Sequence, residues 1–323
     1  MTLSVGVAVD FAPVAGESFA ARLDEVTPLL EAAERFGYAA VSAGESATLT
    51  PGDPMGFHAP NSLIMLTAVA ARCTTPRLIA GALLLGGWPS DRLLRDLDLV
   101  YDLTGDRLTL TVGLGPRHLW ERRGVPPEAI GAAADAVLAE LAAHFPTRDR
   151  WVGGAIDRSA RRAATLGTGY TASTGYPFGV VARQAAAYRR FGGDGPVSAN
   201  RVCVIAESRE AARAIAAQGI DPLLAAYAAT GTTGPAVEPT ERAAELGIVG
   251  TVADARDAVA RLVAAGITHL QLRVAPGRTP VSAALATLPA FAADVLPHVA
   301  GPAADTDRSA GAPGRTSSSE ETM

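Results

Sequence analysis

Three stretches carry side chains whose types and spacing could do chemistry. The first is Gly44-Glu45-Ser46, which ends an apolar run from Tyr38 to Ala43. A carboxylate withdrawn from water at a strand end has a raised pKa and can give or take a proton. The alternative for Glu45 is an ion pair with one of the many arginines. The second is Pro116 to Pro127, an irregular polar-aromatic segment with Arg117, His118, Trp120 and Glu121. Aromatic and ionisable groups mixed on one loop suit binding or proton transfer. The third is the Pro- and Gly-rich loop that runs to Pro60 and carries Asp53, Phe57 and His58. Loops this long inside a compact domain are functional or mobile, so His58 is either an acid–base group or a surface or capping residue. Phe11 and Trp88 follow two other strands, where they would wall an apolar pocket or simply pack. The five histidines are scattered without the i, i+3 or i, i+4 spacing of helical metal ligands, so no metal site is expected.

What must position these groups is clearest from Pro76 to Gly115. Leu78 to Leu85 is too short and too uniformly apolar for an amphipathic helix and reads as a strand buried on both faces. Ser90 is the expected N-cap of a helix with Leu93, Leu97 and Val100 at helical spacing, and Gly105 stops it. A strand from Leu108 to Val112 then ends in Gly113-Leu114-Gly115. Strand, helix and strand in about forty residues make one βαβ unit, with both Gly-rich turns on the side where such folds place ligands.

The same alternation runs through the chain. Strands are expected at Leu3–Val9, Tyr38–Ala43, Arg150–Gly154, Gly169–Ser173, Ala199–Ala206 and Thr268–Val274. Helices are expected from Thr27-Pro28 (as N-cap and first position) to Phe36, and over Asn61–Thr74, Glu128–Ala143, Asp157–Leu166, Phe178–Phe191, Asp254–Ala265 and Ser282–His298, with another from Ser208. Asp221 to Leu246 reads as an irregular insertion. Eight strand–helix units suit an α/β (β/α)8 TIM barrel over residues 1–300 better than an open sheet. Residues 301–323 have almost nothing to bury and read as a disordered tail.

Composition narrows the rest. The chain has 323 residues, 48% hydrophobic and 19% charged, enough for one large core. A formal net charge of −5 disfavours a nucleic-acid partner. No stretch reads as a membrane span or a signal peptide. Cys73 and Cys203 lie far apart in apolar segments and read as buried free thiols, so a cytoplasmic setting is expected.

Several segments, in this order and at these spacings, resemble the bacterial luciferase-like monooxygenase family of flavin- and deazaflavin-dependent barrels. They are Glu31 to Gly37 (EAAERFG) leading to Val41 and Gly44-Glu45; Ala68 to Ala71 with Pro76-Arg77-Leu78; and Asp98 to Arg107 (DLVYDLTGDR). Val112 to Gly115, Trp151 to Gly154, Ile248 to Thr251 and Ala264 to Ile267 continue the series. The resemblance runs from Val5 to about Val299. It implies a barrel whose C-terminal face holds FMN or a deazaflavin. It places the cofactor phosphate at Gly153-Gly154-Ala155-Ile156 with Arg158 and Ser159, where paired glycines, a helix N-terminus and a guanidinium suit an anion. It lays the flat ring over Gly81-Ala82-Leu83-Leu84, and Glu121 matches an acidic position common in the family.

The family often has Glu-His after the second strand, where this chain has Glu45-Ser46; His58 could replace that histidine from one loop along. The family's His-Pro after the third strand is Pro89-Ser90-Asp91 here. Only His144 to Asp149 stands where members often carry a long loop. The resemblance therefore leaves three functions open. One is an FMN-dependent monooxygenase supplied with reduced flavin by a separate reductase and acting on a small organic substrate. Another is a deazaflavin-dependent hydride-transfer oxidoreductase. The third is a non-catalytic flavin- or partner-binding subunit. Glu45, His58, His118 and Glu121 are then the catalytic candidates, Phe11, Trp88, Arg117 and Trp120 the substrate candidates, and a homodimer through an apolar helical face is in keeping with the family.

Overall fold

Eight parallel strands close on themselves in the computed structural model, which describes residues 3–13, 17–45, 61–229, 246–277 and 279–299. In chain order the barrel strands are β1 (Ser4–Ala8), β2 (Ala40–Ala43), β3 (Arg77–Leu84), β4 (Leu108–Gly113), β5 (Arg150–Gly153), β6 (Gly169–Ala172), β7 (Val197–Ile205) and β9 (His269–Arg273). Each pairs with its neighbour in parallel, β7 pairs with both β6 and β9, and β9 returns to β1. All eight fall on the runs read as strands. A ninth, β8 (Ile248–Gly250), was not among them. It is three residues long and pairs with Cys203 to Ile205, the overhanging end of β7.

The helices between them are α1 (Phe19–Arg35), α2 (Ser62–Ala70), α3 (Ser90–Leu103), α4 (Arg117–Glu121), α5 (Ile130–His144), α6 (Asp157–Leu166), α7 (Phe178–Arg190), α8 (Arg209–Ala229), α9 (Val252–Ala264) and α10 (Val281–Ala290). The strands' outer faces, such as Val5, Val7 and Val9 or Leu108, Leu110 and Val112, pack under these helices as one core. Register puts the alternate residues inside the barrel. That lining includes Ser42, Thr109, Thr111, Trp151, Ser198, Asn200, His269 and Gln271, all buried or nearly so. His269 sits between Ser4 Oγ, 3.0 Å from its Nδ1, and the Gln271 amide, 2.9 Å from its Nε2, and burial pushes its pKa down to about 4.

Four local readings are corrected. Thr27-Pro28 does not start α1. Ser18 caps it, accepting from the Ala21 N–H, and Pro28 lies inside on the exposed side, where water can serve the carbonyl it strands. Ser90 is the first residue of α3 and Pro89 its N-cap, with no side-chain cap bond. The Pro116–Pro127 segment contains the short helix α4. The supposed insertion at 221–246 begins as helix, since α8 runs on to Ala229; its remainder, like His58 and the 301–323 tail, lies outside the described residues. By length and composition Val281–His298 could cross a bilayer; here Ala284, Leu288, Phe291 and Val295 along it are buried in the core.

Glu34, near the end of α1, anchors the turn before β3. One carboxylate oxygen accepts from the Thr75 N–H at 2.7 Å and from the Thr74 N–H and hydroxyl at 3.0 Å. The Thr75 bonds and those of Thr74 pull its pKa from 4.5 to about 2. A carboxylate with a depressed folded pKa contributes stability above its unfolded value and loses it as pH falls through the folded one. Glu34→Gln is therefore expected to flatten the acid limb of the stability–pH curve between those two values, read by thermal melts along a pH series.

Candidate active site

Four neighbouring strands, β2 to β5, each carry a glycine toward the C-terminal mouth. Gly44 follows β2, Gly81 lies near the end of β3, and Gly113 and Gly153 end β4 and β5. The backbones of the first two touch: a Cβ on Gly44 would stand 2.6 Å from the Gly81 carbonyl oxygen. The Gly81–Ala82 peptide is cis, and the β3–β4 register slips between Gly81 and Leu83. A Cβ on Gly113 would lie 3.9 Å from Leu84 Cδ2 and 4.0 Å from Ala82 Cβ. Gly81, Ala82 and Leu84 are half-buried. The result is a rim with almost no side-chain bulk along half of the mouth.

Glu45 stands at one side of this rim. Its backbone N–H donates to the Ala82 carbonyl at 3.2 Å. Its carboxylate accepts from the Leu84 N–H at 3.0 Å, from Trp88 Nε1–H at 3.1 and 3.2 Å, and from the Ser62 N–H and hydroxyl at 3.3 and 3.2 Å. Ser62 is the first residue of α2, whose cap Asn61 accepts from the Ile64 N–H, so the carboxylate also faces a helix N-terminus. The arginine partner foreseen as an alternative is not among these contacts. Burial raises the Glu45 pKa, opposed by the bonds from Leu84, Trp88 and Ser62. An acid held between these influences keeps its proton to higher pH than a free carboxyl does.

At the other end of the rim, β5 turns into α6. Gly153, Gly154 and Ala155 are half-buried, Ile156 and Arg158 are exposed, and Ser159 is buried. Gly154 has φ +149°, and a Cβ there would come within 2.1 Å of Ser159 Oγ. Tyr170 donates its hydroxyl proton to the Gly154 carbonyl at 2.6 Å. The Ser159 and Ala160 N–H groups close on Ile156, which leaves those of Asp157 and Arg158, ahead of them in the first turn, as donors for an anion. Asp157, the helix's own acid, is drawn aside by Arg190 at 2.8 Å.

The other candidates are placed differently from the sequence reading. Trp88 is a hydrogen-bond donor to Glu45. Phe11 is 1% exposed and Trp120 is fully buried, so both are packing residues. Trp120 donates to the Leu114 carbonyl at 2.7 Å and would collide with a Cβ on Gly86. Arg117 and Glu121 pair with each other one turn apart on α4, and His118 on the same helix is exposed; no bond joins these three to Glu45.

The sequence reading missed Asp10 and Arg273. They face each other from the ends of β1 and β9, with Arg273 Nη2 2.8 and 2.7 Å from the two Asp10 oxygens, and Arg22 Nε donates to the Asp10 carbonyl. The signal was present, since both ionisable residues lie at alternating inward positions of apolar strands. Arg201 on β7 was missed too. It is fully buried, its Nη1 serves the Ser173, Thr174 and Asn200 carbonyls, and burial lowers its pKa to about 10.

No protein-family model matches the sequence, and no curated protein does. Solved structures do match. Monooxygenase RslO1 from Streptomyces bottropensis aligns at a TM-score of 0.77 and 21% identity, over 92% of this chain and 100% of that one. The oxygenating constituent of 3,6-diketocamphane monooxygenase, from the CAM plasmid of Pseudomonas putida and in complex with FMN, aligns at 0.71 and 13% identity, over 92% and 98%. The coenzyme F420 dependent tetrahydromethanopterin reductase from Methanopyrus kandleri aligns at 0.64 and 13%, over 93% and 100%. At these identities the likeness shows the fold, which is the barrel that the sequence resembles.

Proposed function

We propose that this chain is a flavin-dependent monooxygenase that takes reduced FMN from a separate reductase and oxygenates a small organic substrate. The observation that carries this reading is the glycine rim. At Gly81 and Gly113 an added Cβ would meet nothing closer than 3.6 Å, which leaves room for a flat ring, with the half-buried Glu45 carboxylate at one end and the open N-terminus of α6 at the other. FMN has that shape and one anionic end. Its likeness in fold to a monooxygenase that holds FMN supports the choice.

Bound there, reduced FMN supplies the electrons and activates oxygen. The protein's part is to hold and shelter. Gly153, Gly154 and the Asp157 and Arg158 N–H groups receive the phosphate, with Arg158 adding positive charge. Gly81, Ala82 and Leu84 support the ring, and Trp88 walls the cavity. Glu45 stands at the rim as the group placed to take or give a proton. The lost histidine is tolerable in such a site, where exclusion of water matters more than a dedicated base.

Reduced FMN added to the purified protein in air is expected to reoxidise more slowly than in buffer, followed by its absorbance. A rate equal to that of buffer removes the monooxygenase reading, and slowing only with the reduced deazaflavin turns it to hydride transfer. A homodimer through Ile64 on α2 and Leu99 and Leu103 on α3, all exposed, belongs to the same reading. Ile64→Asp is then expected to sediment as a monomer where the native chain sediments as a dimer.

A further inference from the structure

On the α8–β8–α9 excursion, α8 and α9 flank a cavity of about 660 Å³ over β8, within the size range of small-molecule sites. Its charged lining is complementary across the gap. From α8 come Arg209, Arg213 and Asp221; from α9 come Asp254, Asp257 and Arg261. Among the described residues one rung is closed, where Arg209 Nε and Nη2 reach Asp254 at 3.0 and 2.6 Å. Asp254 is held there by the Thr251 capping box.

Among the described residues, Arg213, Asp221, Asp257 and Arg261 make no such ion pair. Asp221 is 8% exposed and its Oδ1 is buried without a hydrogen bond. A carboxylate in that position has lost its hydration without replacement, and burial raises its pKa. Arg213 is exposed on the rim, and Arg261 lies over the Phe178 ring at 4.6 Å. Ala216, Ile248, Val249, Ala258 and Ala260 make the rest of the lining apolar.

We infer that this cavity is a binding site for a small extended zwitterion, its ammonium group on Asp221 and its carboxylate on Arg213. The two residues are eight apart on one helix, about 12 Å along its axis. That spacing suits an ω-amino acid with an apolar chain between its charges. Arg261 and Asp257 supply the opposite wall, and a ligand with one charge alone would satisfy only one end. The inference does not depend on the flavin reading, because that reading uses none of these residues.

The test is calorimetric titration of the full-length protein with aminocaproate, with caproate and hexylamine as single-charge controls. Aminocaproate is expected to bind and to raise the melting temperature, and each control to bind about tenfold more weakly or worse, as loss of one charged hydrogen-bonding end implies. Asp221→Asn and Arg213→Gln are each expected to weaken aminocaproate to a similar extent. Neither should unfold the chain, since the first removes an unpaired buried charge and the second lies on the rim. Absence of binding, equal binding of the controls, or unchanged binding in both variants overturns the proposal.

Discussion

Glu45→Ala is expected to abolish flavin binding and to destabilise the fold by about 3 kcal/mol or more, because it strands several donors at once. The Leu84 N–H, the Trp88 indole N–H and the Ser62 N–H all end on that carboxylate. A buried donor left without an acceptor costs about 1–3 kcal/mol. Glu45→Gln is the milder change. Its amide oxygen still accepts, but its NH2 meets a donor, so about one bond is lost. Chemical denaturation gives the stability of each, and FMN titration followed by flavin fluorescence gives the binding.

The pH dependence separates the two variants further. Burial, the largest influence on Glu45, raises its pKa above the ordinary 4.5. A group with a raised folded pKa contributes its stability below the unfolded value and loses it as pH rises through the folded one. The native chain should therefore lose stability relative to Glu45→Gln as pH climbs from about 4.5 through the raised pKa. A difference that stays flat across that range would mean the carboxyl titrates as if in water.

The barrel was legible because its evidence is repetitive. Apolar runs such as Leu78–Leu85 recur along the chain, with glycine stops such as Gly37, Gly105, Gly192 and Gly266 after several of the helices, and such units need only local contrast to be seen. Errors arose where a local rule met a tertiary one. Pro28 obeys the rule for a helix start, yet α1 begins earlier because Leu23, Val26, Leu29 and Leu30 bury one continuous face that includes the proline's turn. β8 has three residues and exists only because β7 overhangs the barrel. Trp120 is a substrate candidate from the polar-aromatic make-up of its loop. Its burial follows from Gly86, which lets the indole come close, and that pairing is invisible at a separation of 34 residues. For the site, position was legible and partnership was not. Glu45 could be placed at a strand end, but its acceptor role depends on Ser62 and Trp88, brought in by two other loops.

Gly154→Ala is expected to cost about 2–6 kcal/mol, the sum of two separable effects. A Cβ at this position would stand 2.1 Å from Ser159 Oγ and 2.4 Å from Ser159 Cβ, and overpacking of this kind costs about 1–3 kcal/mol. The backbone at φ +149° adds strain that an L side chain bears poorly, again about 1–3 kcal/mol. Combining it with Ser159→Gly should return the first part and leave the second, since only the Ser159 Cα, at 3.9 Å, would then remain near the new methyl. The flavin readout should behave otherwise. If the turn holds an anion through Ser159 as well as through the N–H groups of Asp157 and Arg158, the double variant recovers the packing part of its melting temperature but keeps a weakened FMN affinity. Ser159→Ala alone leaves Gly154 unhindered, so any loss of affinity there reports the hydroxyl and not the packing. Recovery of both stability and affinity in the double variant would assign Ser159 to holding the corner's shape, with the phosphate received by backbone alone.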